Sequence, residues 1–221
     1  MYALPSTAAN AAPPPPASRL DRLKARPRKA GEASFFFFDA HFRNDAVKVL
    51  PGEFFVHDED ILVMTTLGSC IAACLWDREK KIGGMNHFLL PEGKGATDSG
   101  RYGSFAMDLL IGELVKRGAT RSTMEAKVFG GGAVISGMNS INVGQQNTEF
   151  VLEYLRTERI TVVSKDVLDV CPRKVCFFPV SGRAMVKRLS AARAADVAVQ
   201  ERTVAAPVAA AAGAGGSVEL F

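Results

Sequence analysis

The sequence predicts an α+β domain, and three observations carry that reading. Short runs rich in β-branched and aromatic residues dominate the centre of the chain, most follow one another without an intervening helix, and only two segments repeat their apolar residues at helical spacing. A regular βαβ architecture would need a helix between successive strands, which this pattern lacks. At 221 residues the chain has room for one medium-sized domain whose core needs neither disulfides nor metal.

Taken in order, residues 1–34 are Ala/Pro-rich and then basic, the composition of a disordered tail. "FFFF" at 35–38 reads as an edge strand packing on the body. "AVKVLPGEFFVHD" and "ILVMTTL" read as strands, and "IAACLW" and "IGGMNHFLL" as a hairpin about a polar tip. "RYGSFAMDLLIGELVKRGA" sets Phe105, Leu109, Leu110 and Leu114 at helical spacing, with Gly118 as the stop. "EAKVFGGG" is a strand entering a glycine turn. "NTEFVLEYLRTERI" repeats Phe150, Leu152 and Leu155 on a helix capped by Asn147 or Thr148. "TVVSKDV" and "RKVCFFPVSG" are two further strands, and "GRAMVKRL" a last strand or short helix. Beyond it a helix could run as far as Thr203, before Pro207 and an Ala/Gly run that reads as linker. The expected organisation is a tail over 1–34, a domain over 35–189 and a flexible tail over 190–221, its closing "SVELF" read as a frayed end.

Charge and cysteine usage remove several function classes. The net charge of +4 sits wholly in residues 1–34, so the body is close to neutral and offers no basic groove for nucleic acid. No run is long enough for a transmembrane helix, and the N-terminus lacks the charged and apolar regions of a signal peptide, so a cytoplasmic protein with reduced thiols is expected. Cys70, Cys74, Cys171 and Cys176 lack zinc spacing, and no metal is expected. "FGGGAVISG" at 129–137 lacks the Gly-Lys-Ser/Thr ending of a phosphate loop and reads as a glycine turn lining the cleft; no cofactor is expected. His41 and His57 read as surface or packing residues.

The stretch "TTLGSCIAACLWDREKKIGGMNHFLLP" is where chemistry concentrates. If residues 70–76 pair with 81–90 and Trp76 faces Lys81, paired numbers add to 157 and Cys70 faces His87. Directly opposed side chains share a sheet face with Cβ atoms about 5 Å apart. A one-residue slip would send them to opposite faces. An imidazole at that distance takes the thiol proton and stabilises the nucleophilic thiolate. Gly68 permits close approach of a substrate, and the N–H groups around Ser69 and Cys70 can hold an oxyanion. Thr65, Thr66 and Asn86 are the polar candidates to orient the ring. The competing reading is a buried thiol beside an incidental histidine, since cysteine is among the most buried residue types.

The runs "LPGEFFV", "TTLGSCIAACLWD", "IGGMNHFLLP", "RYGSFAMDLLIGELVKRGA", "AKVFGGGAV", "NTEFVLEYL" and "PRKVCFFPVSGRAMVKRL" resemble, in order over nearly all of residues 40–189, the CheD family of chemoreceptor glutamine deamidases. The resemblance implies a layered α+β sandwich with papain-like Cys–His chemistry. It also implies hydrolysis of glutamine side-chain amides on methyl-accepting chemotaxis receptors, giving glutamate and ammonia. It carries the family's cysteine onto Cys70 and its histidine onto His87. A family threonine falls on Thr65, with Thr66 as alternate, and Gly68, Ser69 and Asn86 are expected to contact substrate. A CheC-type phosphatase is a second partner that the resemblance allows, and recruitment to receptor clusters a possible location. "VGQQNTEF" departs from a charged turn common in the family, which puts substrate contacts by Gln145 and Gln146 in doubt. Cys171 and Cys176 replace other residue types there and read as incidental.

Overall fold

Two five-stranded sheets stack face to face, and two long helices cover the outer side of one of them. The computed structural model describes residues 18–91, 102–133 and 138–190, with 193–197, 199, 201 and 203. Strands β1 (Phe35–Asp39), β2 (Asn44–Lys48), β4 (Leu62–Leu67), β9 (Arg173–Phe177) and β10 (Ala184–Arg188) form one sheet in the order β1-β2-β4-β9-β10. Strands β3 (Phe54–His57), β6 (Ile82–Asn86), β5 (Ile71–Asp77), β7 (Met124–Gly130) and β8 (Thr161–Val167) form the other, in the order β3-β6-β5-β7-β8. Only β2–β4 and β7–β8 pair in parallel, so the α+β sandwich of mostly antiparallel strands is the architecture observed.

Alternation along the strands builds the layers. Val63 and Leu67 of β4, Val175 and Phe177 of β9, Ala72 and Cys74 of β5, Phe55 and Met85 meet between the sheets. The other faces of β5 and β7 turn Ile71, Ala73, Leu75, Ala126 and Val128 towards helices α2 (Gly103–Lys116) and α3 (Met138–Thr157). Burial on both sides explains why "IAACLW" reads as an unbroken apolar run. Helix α2 ends where expected: Gly118 takes φ +92°, and the Ala119 N–H bonds the Leu114 carbonyl. Helix α3 begins at Met138, so Asn147 and Thr148 lie inside it rather than capping it.

The hairpin differs from the predicted register by two residues. Asp77 pairs with Ile82 and Trp76 with Gly83, so paired numbers add to 159 and the tip is Arg78–Lys81, with Lys81 at φ +57°. Asp77 is the cause. Fully buried, it accepts from the Glu79 and Lys80 N–H groups across the tip, from the Thr120 N–H at 2.9 Å and from the Thr123 hydroxyl at 2.5 Å, which fixes it as the last strand residue. A slip of two preserves faces, so Cys70 and His87 remain on the same side as diagonal rather than direct neighbours.

The terminal segments also depart from expectation. Within the segment expected as a tail, Ser18 and Asp21 form a capping box for α1 (Arg19–Ala25), Leu23 enters the inter-sheet core, and Lys29 reaches Glu113 on α2 at 2.5–2.6 Å. The Ala/Pro-rich composition therefore masks a short amphipathic helix. Residues 193–203 are helical at their described positions, as the sequence allows as far as Thr203, but they pack on the body rather than trailing from it as a flexible tail. Residues 1–17 and the closing "SVELF" lie outside the described residues.

Burial pushes the Asp77 carboxyl up, but the hydrogen bonds from Thr123, Lys80, Thr120 and Glu79 outweigh it and hold it below the usual carboxylate range. A depressed folded-state value stabilises the fold above the unfolded value, about 3.9, and that contribution fades as pH falls through the folded value. Asp77→Ala, which strands several buried donors, should cost about 2–4 kcal/mol in denaturant unfolding at pH 7. The difference from wild type should shrink below about pH 4.

Candidate active site

Three side chains from two sheets meet where β4 passes to β5. Thr65 shares the inward face of β4 with Val63 and Leu67. The chain leaves β4 through Gly68 and Ser69 and delivers Cys70 at the start of β5, while His87 follows β6. The His87 N–H bonds the Glu53 carbonyl at 3.0 Å, and its own carbonyl accepts from the Gly52 N–H at 2.7 Å, so the turn at 50–53 holds the histidine backbone. The Thr65 hydroxyl donates to the Val49 carbonyl at 2.7 Å and therefore accepts from Nδ1–H of His87 at 2.9 Å. That bond bridges the two sheets and selects the tautomer whose lone pair is on Nε2. This nitrogen is buried and has no hydrogen-bond partner among the described residues. A ring nitrogen of His87 and Sγ of Cys70 lie within 4.8 Å of one another, each residue being 1% exposed.

The loop before Cys70 is held with its amides turned into the site. The glycine turn after β7 supplies N–H groups to the loop's carbonyls, Gly131 to Cys70 at 2.8 Å and Gly132 to Gly68 at 2.7 Å. Asn147 of α3 donates to the Ser69 carbonyl at 3.1 Å and the Leu89 carbonyl at 2.8 Å. The approach is tight enough to demand glycine: Gly130 has φ +112°, and a Cβ there would sit 2.1 Å from the Cys70 carbonyl oxygen. Fully buried Arg173 braces this turn, bonding Asp166 at 2.7 Å and the carbonyls of Gly130, Cys171 and Leu168.

With its carbonyls engaged behind, the loop points three N–H groups forward, and they hold an anion. Oε1 of Glu201 accepts from Gly68 N at 2.8 Å and Cys70 N at 3.2 Å. Its Oε2 accepts from Ser69 N at 3.0 Å and Ser69 Oγ at 2.7 Å. Burial raises the Cys70 thiol well above its ordinary range, and the Glu201 charge and its hydrogen bond push it the same way. Burial lowers His87 to about 4, against the opposing pull of Glu201. Thiol and imidazole are thus both neutral at pH 7 in this arrangement.

The sequence-expected residues divide accordingly. Cys70, His87, Thr65, Gly68 and Ser69 come together. Thr66, one residue on, lies on the other face of β4 and lines a cleft of about 600 Å³ with Lys48, Lys174, Lys187, Arg188 and Arg193. The body therefore does carry a basic groove, contrary to the expectation drawn from its near-neutral sum: a net charge says nothing of how the charges cluster. Asn86 is not in the site. Next to His87 in a strand, it projects to the opposite face, accepts from Ala73 N and donates to the Ala106 carbonyl and Met107 Sδ on α2. Gln145 pairs with Glu149 on the exposed side of α3. His57 pairs with Asp58, and Cys176 packs in an outer cluster with Phe178. Sequence reasoning missed Asn147, Arg173 and Glu201; for Glu201 the sequence offers only the helix allowed as far as Thr203, on which Val197 stands one turn earlier, and nothing local says that this face docks on the site. Among the described residues, Cys70, His87 and Glu201 are the group whose donors could meet a metal. The Glu201 oxygens are already satisfied by four N–H and O–H donors, so the geometry is that of an amide cradle for a carboxyl or carbonyl oxygen.

A thiol, an imidazole with its tautomer fixed and a cradle of backbone amides, set at the junction of a two-sheet sandwich, define the equipment of covalent amide chemistry. A family model described as CheD chemotactic sensory transduction matches residues 89–188. A "Probable chemoreceptor glutamine deamidase CheD 1" of Albidiferax ferrireducens is 60% identical over 204 residues, 92% of this chain and 87% of the relative. A "Probable chemoreceptor glutamine deamidase CheD" of Paraburkholderia xenovorans is 49% identical over 177 residues, 78% and 71% of the two chains. One from Methylobacillus flagellatus is 49% identical over 171 residues, 75% and 84%. The chain belongs to the CheD family.

At pH 7, ring ¹⁵N shifts of His87 should report protonated Nδ1 and bare Nε2, and the ring should stay neutral until pH falls to about 4. Thr65→Val should weaken the preference for that tautomer, leaving the Val49 carbonyl as the remaining acceptor near the ring. Because an unfolded histidine titrates near 6.5, the buried neutral ring should make stability fall as pH drops from about 6.5 to about 4.

Proposed function

We propose that the protein is a protein-glutamine deamidase acting on methyl-accepting chemotaxis receptors, with Cys70 as nucleophile, His87 as general acid and base, and Thr65 orienting the ring. The observation that carries this reading is the cradle of Gly68, Ser69 and Cys70 amides beside the thiol, already seen to hold a glutamate side chain, the product group of glutamine deamidation. The names of the relatives point to the same substrate.

The chemistry follows from those positions. When substrate enters, Nε2 of His87 takes the Cys70 proton and the thiolate attacks the side-chain carbonyl carbon of glutamine. The carbonyl oxygen becomes an oxyanion stabilised by the cradle, whose donors are fixed in advance by the glycine turn. Protonated His87 gives its proton to the departing nitrogen, and ammonia leaves a Cys70 thioester. The same ring then takes a proton from water, hydroxide attacks the thioester, and collapse returns glutamate and the Cys70 thiol. Thr65 keeps Nδ1 protonated throughout, so Nε2 is always the nitrogen that exchanges the proton. The cleft beside the site carries Lys48, Lys174, Lys187, Arg188 and Arg193 against Asp196, a balance suited to an acidic receptor segment. No described helix is long and apolar enough to cross a membrane. A CheC-type phosphatase as second partner and recruitment to receptor clusters belong to the same proposal and draw on the family resemblance.

Incubating receptor with wild type and with Cys70→Ala, and following Gln-to-Glu conversion by mass spectrometry, tests the assignment: conversion should require the thiol, and equal conversion by both would refute it. Thr65→Val should lower kcat on the order of 100-fold with little change in KM, and Thr65→Ser should restore most of it. Lys174→Glu should raise KM about 3- to 10-fold at low salt, with the difference fading as salt screens the cleft.

A further inference from the structure

We propose that residues 193–203 are an intramolecular ligand of the active site, with Glu201 lying where the side chain of a substrate glutamine must lie, so that substrate gains the site only by displacing this segment. The inference rests on the deamidase reading and adds to it a built-in occupant.

The fit is chemical as well as steric. Glu201 is 6% exposed, and its carboxylate receives the Gly68, Ser69 and Cys70 amides and the Ser69 hydroxyl, every forward-facing donor of the loop. Glutamate has the side-chain length of glutamine but carries no amide to lose, so it can reside beside Cys70 without being consumed. It also fits the cradle better than a resident glutamine would. Both carboxylate oxygens accept hydrogen bonds, whereas a carboxamide would set its NH₂ against the Ser69 N–H, donor against donor.

The rest of the segment is built to hold that side chain in place. Val197, one turn earlier on the same face, is buried beside Val49, Leu50 and Pro51, the turn that carries the His87 backbone contacts. The Arg193 N–H bonds the Ser190 carbonyl at 2.9 Å where the segment leaves the body, and the Thr203 hydroxyl bonds the Val199 carbonyl at 2.9 Å. Arg193, Asp196 and Val197 form part of the wall of the basic cleft next to the site. A helix-borne carboxylate thus covers both the cradle and its approach. In this state Cys70 is sealed from solvent, and the neighbouring negative charge disfavours its thiolate, which makes it a resting state.

The test uses the full chain as wild type, Glu201→Ala and Val197→Asp, each treated with iodoacetamide and mapped by mass spectrometry, and each assayed for receptor deamidation below substrate saturation. Cys74 and Cys176, also buried, report whether the fold is intact. Expected is alkylation of Cys70 faster on the order of tenfold in both variants while Cys74 and Cys176 stay protected, as for a site that is open only a small fraction of the time in wild type. Deamidation should accelerate in parallel. Unchanged Cys70 alkylation in both variants, or acceleration only together with Cys74 and Cys176, would overturn the proposal even if all three chains deamidate receptor. Selective acceleration at Cys70 with no deamidation by any chain would leave the occupant standing and overturn the deamidase reading instead.

Discussion

The site depends on the pinning of one short loop from behind. Backbone amides of consecutive residues converge on a point only when their carbonyls are satisfied elsewhere. Here Gly131 and Gly132 take the carbonyls of Cys70 and Gly68, and Asn147 takes that of Ser69. Each of these contacts demands a particular residue upstream. The glycine turn needs φ values of +112° at Gly130 and +65° at Gly131, which a side chain would resist, and it is braced by an arginine buried inside the fold. A polar side chain as large as Arg173 is tolerated there because an acid and three carbonyls receive its donors. The constraint thus runs from Asp166 through Arg173 and the glycine turn to the amides beside Cys70.

Magnitudes explain why the site rests in the state observed. Burying a carboxylate costs several kcal/mol unless its lone pairs are met. Hydrogen bonds to a charged group contribute about 1.5–3 kcal/mol each, so four of them offset that cost for Glu201. No comparable compensation exists for a thiolate in the same cavity, where Glu201 adds repulsion to desolvation. Neutral thiol beside neutral imidazole is therefore the stable pair. Exchanging the carboxylate for a neutral carboxamide removes the repulsion, and attack on that carboxamide creates negative charge where the donors already point. The same amides that hold a carboxylate at rest stabilise the oxyanion in the reaction, and the bridge from Thr65 to His87 keeps the proton-accepting nitrogen in place between the two.

Much of this was legible in the sequence, for identifiable reasons. The α+β class followed from strand runs unseparated by helices, and the sharing of a face by Cys70 and His87 followed from the parity of a hairpin. The register differs by two because nothing local reveals that Asp77 is a buried strand residue whose partners, Thr120 and Thr123, lie more than forty positions on. Parity also disqualifies Asn86: adjacent to His87, it has to face the helices. The sequence pattern puts the start of α3 too late because Gly144 and the polar run after it weaken the helical periodicity, and Asn147 reads as a cap although it serves as a clamp. Helix α1 is hidden by composition, and for the segment at 193–203 the sequence allows the helix as far as Thr203 but not its docking, since Ala, Pro and Arg predict solvated tails. What orders them is tertiary: Leu23 in one case and Val197 with Glu201 in the other find cavities that no local pattern announces.

In the proposed reaction Cys70 forms the covalent bond to the glutamine side chain in an amide cradle. A receptor-derived peptide with its target glutamine replaced by a chloromethyl ketone analogue of the same length tests it most directly, with the modified residue located by mass spectrometry. A single adduct at Cys70 is expected, suppressed by excess unmodified glutamine peptide. Labelling that spares Cys70, or that falls on the more exposed Cys171 and is indifferent to competing peptide, would contradict it.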